Sequence, residues 1–137
     1  MMSSSATAQL GIFVHLHTGF DETLQRTIAA LKTEGFGVLT EIDVQDTLRK
    51  KLGVEHAAYR ILGACNPPLA HRALTAAPQI GLLLPCNVTV REIEAGLVEV
   101  GLIDPLMMST LIDAPEVAQV AAEAHEKLLR VSEALKS

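Results

Sequence analysis

Aromatic residues are scarce in this chain, tryptophan is missing, and there are only two cysteines. Each shortage excludes something. With Phe13, Phe20, Phe36 and Tyr59 as the whole aromatic set, the platforms on which single-stranded nucleic acids stack their bases are hard to assemble. The formal net charge is −5 and Arg49-Lys50-Lys51 is the only dense run of cations. The electrostatic footprint that holds a phosphate backbone is therefore lacking, and no nucleic-acid partner is expected. The apolar stretches fall far short of the about 20 residues that a membrane-spanning helix needs. The opening Met-Met-Ser-Ser-Ser-Ala-Thr carries neither a basic nor an apolar leader region. These readings predict a cytoplasmic protein with no membrane partner and with reduced thiols.

What is present is aliphatic. In 137 residues, 49% are hydrophobic, enough for a core of Leu, Ile, Val and Ala that needs no disulfide or metal. By size scaling such a chain buries roughly 68% of the surface its unfolded form exposes. Residues 1–9 are small and polar, so a flexible N-terminal arm is expected there, with residues 10–137 forming a single α+β domain.

Periodicity sets out the elements. Ile12, Val14 and Leu16 alternate with Phe13, His15 and His17, the period of a strand. Phe20, Leu24, Ile28 and Leu31 then recur at helical spacing, with Thr18 or Asp21 available as a cap and Gly35 as the left-handed stop. Phe36, Val38, Thr40 and Ile42 give a second strand, and Asp43 caps a short helix that carries Val44, Leu48 and Leu52 and stops at Gly53. A third strand is expected over Ala57–Ala64. Asn66-Pro67 then starts a helix with Ala70, Leu74 and Ala77 facing inward, ended by Pro78. Ile80, Leu82, Leu84, Cys86, Val88 and Val90 share one parity and predict a long fourth strand with an irregularity at Pro85. A hairpin turn over 92–96, a fifth strand over 97–103, a short Met-containing helix and a long helix from Pro115 complete the chain. A layer of helices on an antiparallel sheet is the simplest way to bury these faces.

Chemistry, if there is any, concentrates in two segments. Gly63-Ala-Cys-Asn-Pro-Pro-Leu-Ala-His71 and Leu82-Leu-Leu-Pro-Cys-Asn-Val88 each place a Cys-Asn dipeptide beside proline. If Cys65 ends one strand and Cys86 lies in the next, the thiols are neighbours, and free amides at the start of the helix after Asn66 would favour a thiolate at Cys65. The competing reading is plain core packing, common for free cysteine. The 21 positions between the thiols are not the C-x-x-C spacing of zinc or redox motifs, although Cys65, Cys86 and His71 could hold a soft metal. His15 and His17 have chelating i, i+2 spacing or else lie on a wetted sheet face. His56 and His125 read as surface residues, and Asp43 and Asp104 as caps. A G-x-S-x-G elbow, a phosphate-binding glycine loop and H-E-x-x-H are all missing.

With these motifs, together with Phe36-Gly-Val-Leu-Thr-Glu-Ile-Asp-Val44, Leu52-Gly-Val54 and Ile103-Asp-Pro105, the chain resembles domain-of-unknown-function family 302 over roughly residues 10–135. The resemblance implies a fold like that of the TATA-binding protein, β-α-β-β-β-β-α in outline, with helices on one side of a curved antiparallel sheet. Extra short helices lie between strands, and homodimers are frequent. The family motif residues fall on Cys65, Asn66, Pro67 and His71 and on Pro85, Cys86 and Asn87. A fold follows from this more firmly than a function.

Three functions fit. A homodimeric binding module would hold a small molecule or soft metal at Cys65, Asn66, Pro67, His71, Cys86 and Asn87. A structural or interaction protein would use a helix or sheet face. A thiol enzyme would use Cys65 and Cys86 as its catalytic pair. No substrate, cofactor or reaction is specified by the residues alone.

Overall fold

A computed structural model describes residues 10–136; the arm expected over residues 1–9 lies outside them. The elements run β1 (Gly11–Leu16), α1 (Phe20–Thr33), β2 (Gly37–Asp43), α2 (Val44–Leu52), β3 (Tyr59–Cys65), α3 (Pro67–Ala76), a 3-10 helix (Pro78–Leu83), β4 (Cys86–Glu94), β5 (Leu97–Ile103), α4 (Met107–Leu111) and α5 (Pro115–Lys136). The five strands form one antiparallel sheet in the order β1-β5-β4-β3-β2. The α+β class and the outline expected from the sequence are both observed. Among the described residues, no helix is long and apolar enough to cross a membrane.

The sheet is sided because strand side chains alternate. Val14 and Leu16 on β1, Leu62 and Ala64 on β3, Val88 and Val90 on β4, and Val98, Val100 and Leu102 on β5 are all buried. They meet Leu24 and Leu31 of α1, Leu69 and Ala73 of α3, and a stripe on α5. That stripe is Val117, Val120, Ala121, Ala124, Leu128, Val131 and Leu135, every one buried. Spacings of three and four residues along α5 keep these side chains on one face, which is why the longest helix spans the core. Covering a Leu or Val completely is worth about 1.5–3 kcal/mol, so this stripe is a principal source of stability.

Helix ends explain where the chain turns. The Asp43 carboxylate accepts from the Asp46 amide at 2.9 Å, and α2 stops at Gly53 with φ +67°. No residue of α2 is fully buried: Val44 and Leu48 are half-buried and Leu52 is exposed. The start of α1 differs from expectation. Gly19 is its cap residue, with no side-chain cap hydrogen bond, and neither Thr18 nor Asp21 takes that role. Asp21 and Glu22 in the first turn complement the helix dipole instead. At the other end, the Phe36 amide donates to the Leu31 carbonyl and the Gly35 amide to that of Lys32, each at 3.0 Å. This doubly bonded turn needs the left-handed conformation that Gly35 adopts at φ +85°.

Three strand readings are corrected. The expected long fourth strand does not begin at Ile80: Pro78–Leu83 is a 3-10 helix and β4 starts at Cys86, after a cis Leu84–Pro85 bond. Ile80 is buried while Leu82 is 91% exposed, so the two do not share a face as strand parity requires; a 3-10 turn separates them. In β2 the register slips between Val38 and Thr40. That bulge at Leu39 takes Thr40 and Ile42 off the core face, and both are exposed. The third strand runs over Tyr59–Cys65, beginning after Ala57 and reaching Cys65. In α3, Leu69 and Ala73 are the buried positions, whereas Leu74 is 39% exposed.

Candidate functional site

The two cysteines meet where β3 hands over to α3 and where β4 begins. Ala64 pairs with Cys86 across the strands, so Cys65 is one residue beyond the partner of Cys86. Both thiols line one cavity of about 260 Å3, closed by Phe36, Leu69, Ala70 and Ala73, by Met108 of α4, and by Val120 and Ala124 of α5. Leu39 and Leu74, both exposed, stand at its rim. The β2 bulge is what turns Leu39 to this side. Unbroken alternation from Val38 would place it on the opposite face.

Among the described residues no ionisable side chain lines this space other than the two thiols, and Asn66 is the only other polar one. Burial, and secondarily the nearby Cys65, push the Cys86 thiol from its ordinary 9.0 up to about 11. At neutral pH Cys86 is therefore a protonated thiol.

Asn66 is 8% exposed and its amide is already committed. Its Oδ1 accepts from the Leu69 amide at 3.3 Å and caps α3, while Nδ2 donates to the Glu34 carbonyl at 3.2 Å. One side chain thus ties the end of α1 to the start of α3. A Cβ on Gly35 would lie 2.9 Å from Asn66 Nδ2, so the glycine serves both the turn and the close approach.

The start of α3 offers an anion less than its position suggests. Pro67 and Pro68 have no amide hydrogen, the Leu69 amide is taken by Asn66 Oδ1, and the Ala70 amide is bonded to the Asn66 carbonyl at 2.9 Å. The free amides expected to hold a thiolate at Cys65 are not there.

The remaining candidates go elsewhere. His71 and Pro67 are exposed and lie outside the cavity lining. Asn87, next in sequence to Cys86, points to the other face of the sheet, where it borders an open depression of about 750 Å3. There His15 Nε2 lies 3.3 Å from Glu99 and Arg91 Nε 2.8 Å from the same carboxylate. The Phe13 ring lies over Gly101, where a Cβ would come within 2.9 Å of it. His17 is exposed just beyond β1. His125 is half-buried, 3.1 Å from Asp104, whose carboxylate also caps the Leu106 amide at 3.0 Å. Among the described residues no three His, Cys, Asp or Glu side chains gather as a metal site would require; the set Cys65, Cys86 and His71 is not brought together.

The family described as "Domain of unknown function DUF302" matches residues 12–135. The chain belongs to the DUF302 family. A solved structure, titled "Crystal structure of uncharacterized conserved protein DUF302 from Bacillus stearothermophilus", superposes with a TM-score of 0.82 at 32% identity, covering 91% of this chain and 97% of that one. No curated protein matches. For this DUF302 chain the comparison supports the overall α+β architecture.

Proposed function

We propose that this DUF302 protein is a binding module that holds a small, uncharged, largely apolar molecule in the cavity between α3, α5 and the β3/β4 ends. The observation that carries the reading is the lining itself: about 260 Å3 of space bounded by aliphatic side chains, two thiols and one committed amide. Among the described residues the lining holds no carboxylate, imidazole, ammonium or hydroxyl, which leaves the two thiols as its titratable groups. An apolar ligand gains free energy there simply by leaving water. The reading also keeps the protein in the cytoplasm, where thiols stay reduced.

Its test uses the neutral fluorophore N-phenyl-1-naphthylamine. Saturable one-to-one binding is expected, with enhanced emission. Ala70→Phe, which fills the cavity from a half-buried position on α3, should abolish binding without moving the unfolding midpoint by much. Asn87→Ala on the opposite face should leave it unchanged. Binding that ignores Ala70→Phe, or no binding at all, would overturn the reading.

A homodimer forms a second part of the proposal, supported by the open sheet face. There Phe13, Thr89, Ile61 and the 49% exposed Ile42 follow one another in register around Gly101, a largely apolar row bordering the open depression. A monomeric molar mass by light scattering at micromolar concentration would remove it.

A further inference from the structure

Two cysteines at neighbouring strand ends that line one cavity can offer two sulfur donors to one centre, and the cavity limits what such a pair can hold. Cys86 pairs with Ala64, Cys65 is the next residue along at the end of β3, and both residues line the same space. Among the described residues no third His, Cys, Asp or Glu joins them, so a tetrahedral zinc-type site lacks half its ligands. A monovalent ion held by two thiolates leaves a net negative charge. Such a charge is costly in an apolar cavity, and α3 has no free amide at its start to offset it. A bare divalent ion on two thiolates would end uncharged but leave the apolar remainder of the cavity unfilled; a centre that makes two bonds to sulfur, carries its own apolar substituent and ends uncharged fits both.

Resting on the cavity reading above, we infer that Cys65 and Cys86 form a two-thiol capture site for a monosubstituted trivalent arsenical, R–As=O, with the apolar R group filling the rest of the cavity. The reaction is R–As=O plus two Cys–SH giving R–As(S–Cys)2 plus water. Two arsenic–sulfur bonds form and the arsenic–oxygen bond breaks. Both thiol protons leave on that oxygen as water, and arsenic stays trivalent, so no oxidant or reductant is needed. Reactants and product are all neutral, and the site needs no ionised group to hold the product. Burial that keeps Cys86 protonated therefore does not oppose this ligand as it opposes a metal cation. Space suffices: an apolar cavity of roughly 150 Å3 accommodates benzene, and this one offers about 260 Å3.

The probe is phenylarsine oxide, added to fully reduced protein without oxygen and followed by native mass spectrometry. The expected product is one arsenical per chain less one water, retained in a large excess of the monothiol mercaptoethanol and removed by the dithiol dithiothreitol. Cys65→Ser and Cys86→Ser should each leave a single-bonded adduct that mercaptoethanol strips completely. Cys65→Ala and Cys86→Ala should behave alike, so that misfolding of one variant does not decide the result. The adduct should also displace N-phenyl-1-naphthylamine. A wild-type adduct stripped by mercaptoethanol, or none, while the fluorophore still binds, would overturn the arsenical site and leave the cavity reading intact. A dithiol-dependent adduct with no fluorophore binding would uphold the thiol pair and overturn the cavity reading.

Discussion

The dipeptide Cys-Asn occurs twice in this chain, and the two copies are used in opposite ways. At 65–66 it straddles the step from β3 to α3, where the backbone turns, and both side chains line the cavity. At 86–87 it opens β4, where alternation sends Cys86 into the cavity and Asn87 to the far face of the sheet. One asparagine is a buried strut with both amide atoms bonded, whereas the other is exposed. The same two residues thus acquire their roles from the secondary structure around them. A motif read without its local conformation overstates what it shares with its copy.

The largest test of this contrast is the asparagine pair. Asn66→Ala removes a helix cap and leaves the Glu34 carbonyl without this donor, so it should cost roughly 2–4 kcal/mol. Asn87→Ala, on the surface, should stay within about 0.5 kcal/mol. Urea unfolding of the two variants measures both. Equal effects would mean that Asn66 is not the strut between α1 and α3.

The cysteines should separate through pH. The Cys86 thiol is raised in the folded state from 9.0 to about 11, so above pH 9 the unfolded chain releases this proton first and folding holds it back. Stability from this group is fully present below pH 9 and is lost as pH climbs toward 11. The loss amounts to roughly 2–3 kcal/mol. The readout is the difference between wild type and Cys86→Ala in unfolding free energy at pH 8 and pH 10.5, because other groups titrate in the same window. Wild type should lose more over that interval, and parallel losses would show that Cys86 is not desolvated.

Much of this architecture is legible in the residues. Alternation locates β1 and β5, the long helix from Pro115 is expected from the sequence, and the caps at Asp43 and Asn66 follow from side chains that accept hydrogen bonds from a helix's first amides. Two features escaped for physical reasons. The bulge at Leu39 has no glycine or proline to mark it, and it alone brings that side chain to the cavity rim. The 3-10 helix at Pro78–Leu83 repeats its side chains every three residues, and over six residues that cannot be told from a strand when nearly all are apolar. The contributions of Met108, Val120 and Ala124 to the cavity come from elements distant in sequence, which only the packed fold reveals. The proline pair at the start of α3, by contrast, was in plain view. Read as a favourable helix start, it also strips that start of amide hydrogens.

That second consequence gives the smallest and most local test. Replacing Pro67 and Pro68 together by alanine restores two amides at the first turn of α3, beside Cys65, without altering either thiol. Alkylation of Cys65 by iodoacetamide should then accelerate roughly two- to fivefold, which corresponds to about 0.3–1 kcal/mol of interaction between a helix start and an anion. Cys86, which lies in β4 and not at the helix start, should keep its slow rate and serve as the internal reference in the same peptide map. An unchanged Cys65 rate would show that donors at the helix start do not govern that thiol, and the contrast between the two Cys-Asn copies would then rest on burial alone.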